Sequence, residues 1–520
     1  MFEHLFHQKE EISILEKFDT ALTQLDNILG ENDKLLSLFL RSTLYLRLGE
    51  SGMGKKLAIE LLEKSRTMNN KVREFDALNN LILAHRLDGN ISEALDLARK
   101  EEKIIGSLLE GQKIETLRMK ASFYYQMGRL YYITNNPNPA YEYYEKAFNL
   151  SEQINDVEQK VRCLGSMGYL YLSKGELDRA LDYFKSSLPL LEGVGNQQIP
   201  ADILNGIGVT NVARGEMDTA LEFFTGSLRK FESIGSQFNI SRLLNNIGQA
   251  HSMMGEFDSG KRHLEHALQV SRNIHEYAMR VEILYNTIKF YVKDLSLEER
   301  EEIHKEMKES NELRFIAISD QKVRLARAMI LKTSERLMDK TKAQTIFREI
   351  AEEPILWHEL TIDALLNLGE LLVFELKATG NEDVFKELKQ VISRLLSVAK
   401  LQSSHWLMTE IYLLQSRLSL LELDIENAEK LLTQAEVLSQ EKGLKKLAYA
   451  ISLEKKALKR NLDKWKKISE MEPSLSDRIE LTQFNTMFER MILKKLYRTE
   501  EELKRYVNSA QQIVEDWEKK

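Results

Sequence analysis

A chain of 520 residues, 43% hydrophobic and 29% charged, has enough apolar material to fold and too much to be wholly disordered. Its net charge of -7 argues against a protein that coats nucleic acid or an anionic membrane, and no run approaches the roughly 18 apolar residues of a membrane span. The single cysteine, Cys163, excludes an intrachain disulfide framework and a thiolate-rich zinc site, and it fits a reducing, cytoplasmic setting.

Single cores stop growing well below this length, whereas repeat arrays do not, because each unit packs only on its neighbours. Six prolines and long Leu/Glu/Lys/Ala stretches favour helix over strand. The N-terminus carries acids early and lacks the apolar core of a secretory leader. His4 and His7 share a helical face without the H-E-x-x-H spacing of a zinc site, and so do His263 and His266. Both pairs read as surface histidines, and no metal or other cofactor is expected.

Gly49 to Lys56 (GESGMGKK) matches the G-x-x-x-x-G-K part of a phosphate-binding loop. Lys56 stands where a Ser or Thr hydroxyl would bind magnesium, and no parallel-sheet pattern follows. The segment reads instead as a glycine-rich turn between two helices; the sharper alternative is a nucleotide site. Ala21, Ala58 and Ala94 then head successive helical hairpins.

From residue 116 a repeat sets in. Gly128, Gly168, Gly208 and Gly248 are spaced 40 apart, and twelve residues after each stands Ala140, Ala180, Ala220 or Gly260. Four residues further come Tyr144, Phe184, Phe224 or Leu264, and three beyond those Ala147, Ser187, Ser227 or Ala267. Each glycine lies in an amphipathic helix, A, with apolar residues three to four apart, such as Leu204 and Ile207. A glycine inside a helix costs about 1 kcal/mol relative to alanine, so its recurrence implies close approach of a second helix, B, with the aromatic filling the space between repeats. Gly175, Gly215 and Gly255 mark the A–B turns, where glycine takes the left-handed conformation that ends helix A. Pro189, late in a helix B, predicts a bend or an early end. Cys163 falls beside core positions of a helix A and reads as a small buried hydrophobe.

The pattern L-x-x-L-G-x-x-Y…A-x-x-x-F-x-x-A in these units resembles the tetratricopeptide repeat. Its 40-residue spacing is similar to the longer-helix form found in adaptor proteins and bacterial peptide-sensing regulators. Residues 358–382 and 413–432 also resemble long archaeal repeat proteins with a repeat region of the maltose-regulator type, over about residues 10–495. The resemblance implies an all-α, right-handed superhelical solenoid of antiparallel helix-turn-helix repeats. The expected organisation is degenerate repeats over 1–115, regular repeats over 116–292, divergent hairpins over 293–443 and C-terminal capping helices over 444–520.

Counting each glycine as position 8, positions 2, 5, 9 and 12 form a second stripe on helix A. In tetratricopeptide proteins that stripe resembles the concave, ligand-facing one. Transferred residue by residue, it places Tyr125, Arg129, Tyr132, Arg162, Tyr169, Asn205, Arg242, Asn245, Gln249 and Tyr285 on the ligand side. Tyrosine, arginine and amide side chains supply rigid contact area and directional hydrogen bonds, and arginine forks onto carboxylates. The expected function is a non-catalytic scaffold or adaptor for a protein or peptide segment of acidic character lying along residues 122–292. A regulator sensing a peptide is the alternative. The basic run 445–467 reads as an amphipathic helix with solvated lysines, so nucleic acid and membrane are not expected partners. The final helix, from Thr499 through Trp517, offers three uses: a cap, pairing with a second copy, or docking in the groove.

Overall fold

Apolar residues three and four apart with few breakers yield the expected all-α class, and the computed structural model contains no strand among the described residues. Those residues are 19–24, 30–47 and 51–491, apart from 89, 109–113, 135, 314–316, 354, 356–357, 402–403, 443, 461–464, 467–469, 472–473, 483, 485–486 and 489–490. His4, His7 and the helix expected from Thr499 lie outside them.

The chain divides into two compact units, Met1–Leu170 with Pro189–Gly195, and Tyr171–Leu188 with Asn196–Lys520. The first contains α1 (Glu31–Arg47), α2 (Ser51–Thr67), α3 (Lys71–Leu87), α4 (Ile91–Leu108), α5 (Ile114–Ile133), α6 (Pro137–Gln153) and most of α7 (Val157–Ser173). The second contains α8 (Leu177–Ser187), α9 (Gln198–Arg214), α10 (Met217–Ser233), α11 (Gln237–Met253), α12 (Phe257–Asn273) and α13 (Tyr277–Tyr291). It continues with α14 (Leu297–Leu313), α15 (Ala317–Lys332), α16 (Leu337–Glu352), α17 (His358–Thr379), α18 (Glu382–Leu401), α19 (His405–Leu421), α20 (Ile425–Glu441), α21 (Lys445–Arg460) and α22 (Leu475–Thr482). In both units consecutive helices pack as antiparallel A–B hairpins.

The repeated glycine does what its spacing predicts. A Cβ on Gly128 would lie 2.5 Å from the Tyr144 ring, and one on Gly208 would lie 2.5 Å from the Phe224 ring, so each aromatic occupies the space a side chain would take. Phe184 reaches forward to Gly206 of the following repeat, which places the ring between neighbours. Tyr144, Phe184 and Phe224 are fully buried, each worth roughly 3 kcal/mol of apolar transfer. The A–B turns close at Gly175, Gly215 and Gly255 with φ of 76, 83 and 75°. At Gly215 the amide returns to the carbonyls of Asn211 and Val212, ending α9 as expected. The bend at Pro189 is also present: α8 stops at Ser187 and a 3-10 turn, Leu188–Gly193, takes over.

One expectation changes form. The glycine run after residue 50 is no turn, because α2 begins at Ser51 and carries Gly52, Gly54, Lys55 and Lys56 in its first two turns; Gly49 lies outside the described residues. Gly54 is buried against Leu46 of α1, so this glycine serves helix packing. Its spacing resembled a phosphate loop because small residues also let two helices touch.

Farther along, α17 is apolar on nearly every side and is buried accordingly, without a break from Leu360 to Gly369 and again at Leu371, Leu372, Val373 and Leu376. The stretch after α22 packs onto it: Phe484, Met487, Phe488 and Met491 are fully enclosed, with Phe488 against Gly369. Arg417 of α19 donates to the Thr482 carbonyl at 2.9 Å, and Arg478 of α22 donates to the Leu421 carbonyl at 2.7 Å. The basic helix α21 buries Leu447, Ile451 and Leu458, while Lys455 and Lys459 pair with Glu436 and Glu429 of α20. None of the described helices is long and apolar enough to cross a membrane.

Cys163 is buried, and burial pushes its thiol up to about 12. A folded pKa raised above the unfolded value of about 8.5 means stability that is complete below that pH and lost as pH rises toward 12. The folded chain should therefore resist iodoacetamide at neutral pH, with labelling appearing only on unfolding in urea. A paired substitution tests the packing rule. Gly208→Ala should destabilise by about 1–3 kcal/mol, because overpacking against a buried ring outweighs the roughly 1 kcal/mol of helix propensity gained. Gly226→Ala, whose Cβ would meet only Leu204 at 3.6 Å, should stabilise by up to about 1 kcal/mol. Thermal unfolding followed by circular dichroism reads both; equal shifts would contradict the rule.

Candidate functional site

Neighbouring A helices are tied by a hydrogen bond from position 6 of one repeat to position 5 of the repeat before. In the first unit Asn80 Nδ2 donates to Thr43 Oγ1 at 3.0 Å, and Ser166 Oγ donates to the Tyr125 hydroxyl at 3.3 Å. In the second, Asn246 Nδ2 donates to Asn205 Oδ1 and Asn286 Nδ2 to Asn245 Oδ1, both at 3.0 Å. Position 5 thus joins repeats as well as facing the stripe.

In the first unit the stripe runs over α5 and α7. Tyr125, Arg129, Tyr132, Arg162 and Tyr169 are all half-buried. Arg162 is held by Glu158 of its own helix at 2.9 Å. Arg129 lies over the Tyr125 ring at 5.9 Å, and that ring contacts Tyr144 with centroids 5.8 Å apart. Among the described residues Arg129 meets no carboxylate.

In the second unit the nominated side chains are engaged with other residues of the array. Arg242 is paired with Asp202 at 2.9 Å. Asn205 and Asn245 are buried in the inter-repeat bonds, and Gln249 Nε2 donates to Asn286 Oδ1 at 3.4 Å. Tyr285 is buried and donates to Asp363 Oδ2 at 2.6 Å, an atom that also receives Lys289 Nζ at 2.6 Å. Lys289 adds Glu359 at 3.4 Å, while Glu282 holds Lys322 of the next hairpin. Burial works against the Lys289 ammonium, but Asp363 and Glu359 together hold its pKa above the ordinary lysine value. Burial first, then Asp363, drives the Tyr285 phenol well above its ordinary range.

These bonds carry a geometric message. They join α13 to α17, skipping the α15–α16 hairpin between them, so the array in this unit curls tightly enough to close its inner side. The same curl brings Asp178 and Arg214 opposite His405, Trp406 and Lys442 around a cavity of about 240 Å³.

Two further residues share the stripe, Asn79 and Arg86. Ala94 lies twelve residues after Ile82, which puts Ile82 at position 8 of the α3 repeat and Asn79 and Arg86 at positions 5 and 12. Isoleucine in place of the repeat's glycine hides this register in the sequence. Asn79 Oδ1 and Arg86 Nε are buried, and neither has a hydrogen-bond partner among the described residues. His263, by contrast, is satisfied by the Ser259 carbonyl at 2.8 Å and stacks on His251. No cluster of three or more potential metal ligands occurs among the described residues.

Lys289→Met should destabilise by about 3–5 kcal/mol, since it strands a buried carboxylate, whereas Lys289→Met with Asp363→Leu should recover much of the loss. Urea midpoints of the two variants decide this. A near-neutral single substitution would mean that the pair is solvated.

The tetratricopeptide-repeat family models match residues 119–193 and 241–277. None of the curated proteins compared matches the chain. Among solved structures, a Rap protein complexed with competence and sporulation factor is 14% identical, with a TM-score of 0.53 over 71% of this chain and 99% of that one. A signal transduction ATPase with a tetratricopeptide repeat sensor, from Pyrococcus horikoshii, is 15% identical, with a TM-score of 0.46 over 73% and 53% of the two chains. NprR in complex with its cognate peptide NprX is 13% identical, with a TM-score of 0.45 over 65% and 95%. The likeness to the Rap protein is one of fold, and the other two superpose too loosely to bear an argument. The 40-residue beat that sets the helix-to-helix contacts runs through both matched stretches, and the chain accordingly carries tetratricopeptide repeats over those residues.

Proposed function

We propose that this chain is a non-catalytic scaffold for a peptide or protein segment of acidic character, held on the inner stripe of the first unit over Tyr125, Arg129, Tyr132 and Tyr169. The observation that carries this reading is the contrast between units. Arg242, Asn205, Asn245 and Tyr285 have hydrogen-bonding or ionic partners on other repeats, whereas the Arg129 guanidinium lies over the Tyr125 ring and meets no carboxylate among the described residues. Rigid phenol rings give contact area at small entropic cost, and an uncompensated guanidinium favours a carboxylate guest. The segment therefore occupies the α5–α7 portion of the 122–292 stripe.

Against a nucleotide enzyme stands the helical state of residues 51–56; against a nucleic-acid partner stands the pairing of Lys455 and Lys459 of α21 with carboxylates. The Rap protein is complexed with a sporulation factor. That supports a second form of the same reading, a signalling-type regulator that senses a peptide.

Selection of random displayed peptides on the full chain provides the test. Acidic sequences should be enriched, their affinity should fall with added salt, and Arg129→Glu should weaken them about tenfold or more at unchanged melting temperature. No acidic bias, or binding indifferent to Arg129→Glu, would defeat the proposal. Heat released on titration with ATP and magnesium would also count against it.

A further inference from the structure

Arg86 and Arg129 belong to adjacent A helices of the first unit, at stripe positions 12 and 9. They share a setting with Tyr125 and Tyr144, the phenols that act on Arg86 together with Arg129. Arg129 rests on the Tyr125 ring, which contacts the Tyr144 ring, and Arg86 on the adjacent helix is within electrostatic reach of both phenols and of Arg129. The Arg86 Nε is buried without a partner. Two acids on these and the neighbouring helix have partners of their own: Asp76 with Arg73 at 2.6 Å, and Glu158 with Arg162 at 2.9 Å. Burial first, and then the like charge of Arg129, pull Arg86 down to about 10, which still leaves both groups cationic at neutral pH.

Two cations held together at a half-buried site, with no counter-charge among the described residues, are a local cost that a folded core would ordinarily remove. Elsewhere in the chain this has been done: Arg162, Arg242, Lys289 and Lys322 all have carboxylate partners. The Arg86–Arg129 pair lies on the stripe where the proposed peptide guest would lie. Guanidinium forks match oxygens two at a time, on a carboxylate or on a phosphoryl group. Asn79, with its amide oxygen buried and unpartnered on the same helix, offers an acceptor for a guest N–H two turns away.

We propose that Arg86 and Arg129 form an oxyanion subsite that takes one carboxylate or phosphoryl group of a bound segment between the two guanidinium groups, with the tyrosine wall behind it. This deepens the reading of the first unit as a peptide site and rests on it only for the identity of the guest, since the subsite should accept a small anion by itself.

Calorimetric titration of the full chain with inorganic phosphate, and separately with N-acetylglutamate, tests it at constant ionic strength. Saturable binding of at least one probe is expected, weakened about tenfold or more by Arg86→Met and by Arg129→Met. Tighter phosphate binding identifies a phosphorylated guest; tighter N-acetylglutamate binding identifies a carboxylate. Without anion, Arg86→Met should melt no lower than the parent, because it relieves repulsion, whereas an arginine with a structural role would lower the melting temperature on removal. Arg86→Lys, which keeps charge and loses the fork, covers the case in which the methionine variant fails to fold. Binding of neither probe, or binding unchanged in all three variants, overturns the subsite. If acidic peptides are selected yet neither anion binds, this inference alone fails; if an anion binds with no peptide enriched, the peptide reading fails and the subsite stands.

Discussion

Where Gly128, Gly208 and Gly248 face their B helices, the two backbones approach as closely as the ring or leucine between them allows, and that separation fixes the hairpin. The aromatic is shared: Phe184 touches the next repeat at Gly206, so the contact that closes one hairpin also seats its successor. Over these repeats stability accrues by addition, because each hairpin nests on the next and brings one large apolar side chain and one bare stretch of helix. Turn geometry obeys the same spacing. Gly175, Gly215 and Gly255 reverse the chain after helix A, while Asn155, Gly235 and His275, also at multiples of 40, reverse it after helix B with φ of 54, 68 and 56°.

Polar side chains on the A helices follow a second rule that the packing makes possible. Helices brought this close place position 5 of one repeat against position 6 of the next, and the residues found there exchange hydrogen bonds across the joint. A buried amide or phenol left unpaired costs about 1–3 kcal/mol, so these joints fix register as well as adding stability. The second unit extends the device to full charges, with Lys289 buried against Asp363 and Tyr285 bonded to the same oxygen. That cluster joins hairpins that are not adjacent in sequence, and the α17 core with Phe484 and Phe488 is built behind the same curl. One chemical vocabulary, Tyr, Asn, Arg and Lys on one face of a helix, therefore yields a closed interior in one unit. In the other it leaves the Arg86–Arg129 pair uncompensated among the described residues.

The amino-acid sequence by itself determined the helical class, the 40-residue period, the glycine–aromatic nesting, the left-handed A–B turns, the break at Pro189 and the burial of Cys163. All of these are local or nearest-neighbour effects, and their residues recur at fixed spacing. Sequence also marked the stripe on which Arg129 lies, since helical periodicity fixes which side chains share a face. Only the tertiary structure decided which members of that stripe already have partners. Asp363 lies 74 residues beyond Lys289 and Asn246 lies 41 beyond Asn205, and nothing local in either segment announces such a pairing. It likewise turned the Gly52–Lys56 run into a helix, because the deciding contact, Leu46 against Gly54, lies on the preceding helix. A periodic pattern says which way a side chain points. Whether something already stands there depends on how tightly successive repeats curl, a long-range property that no single window of the chain contains.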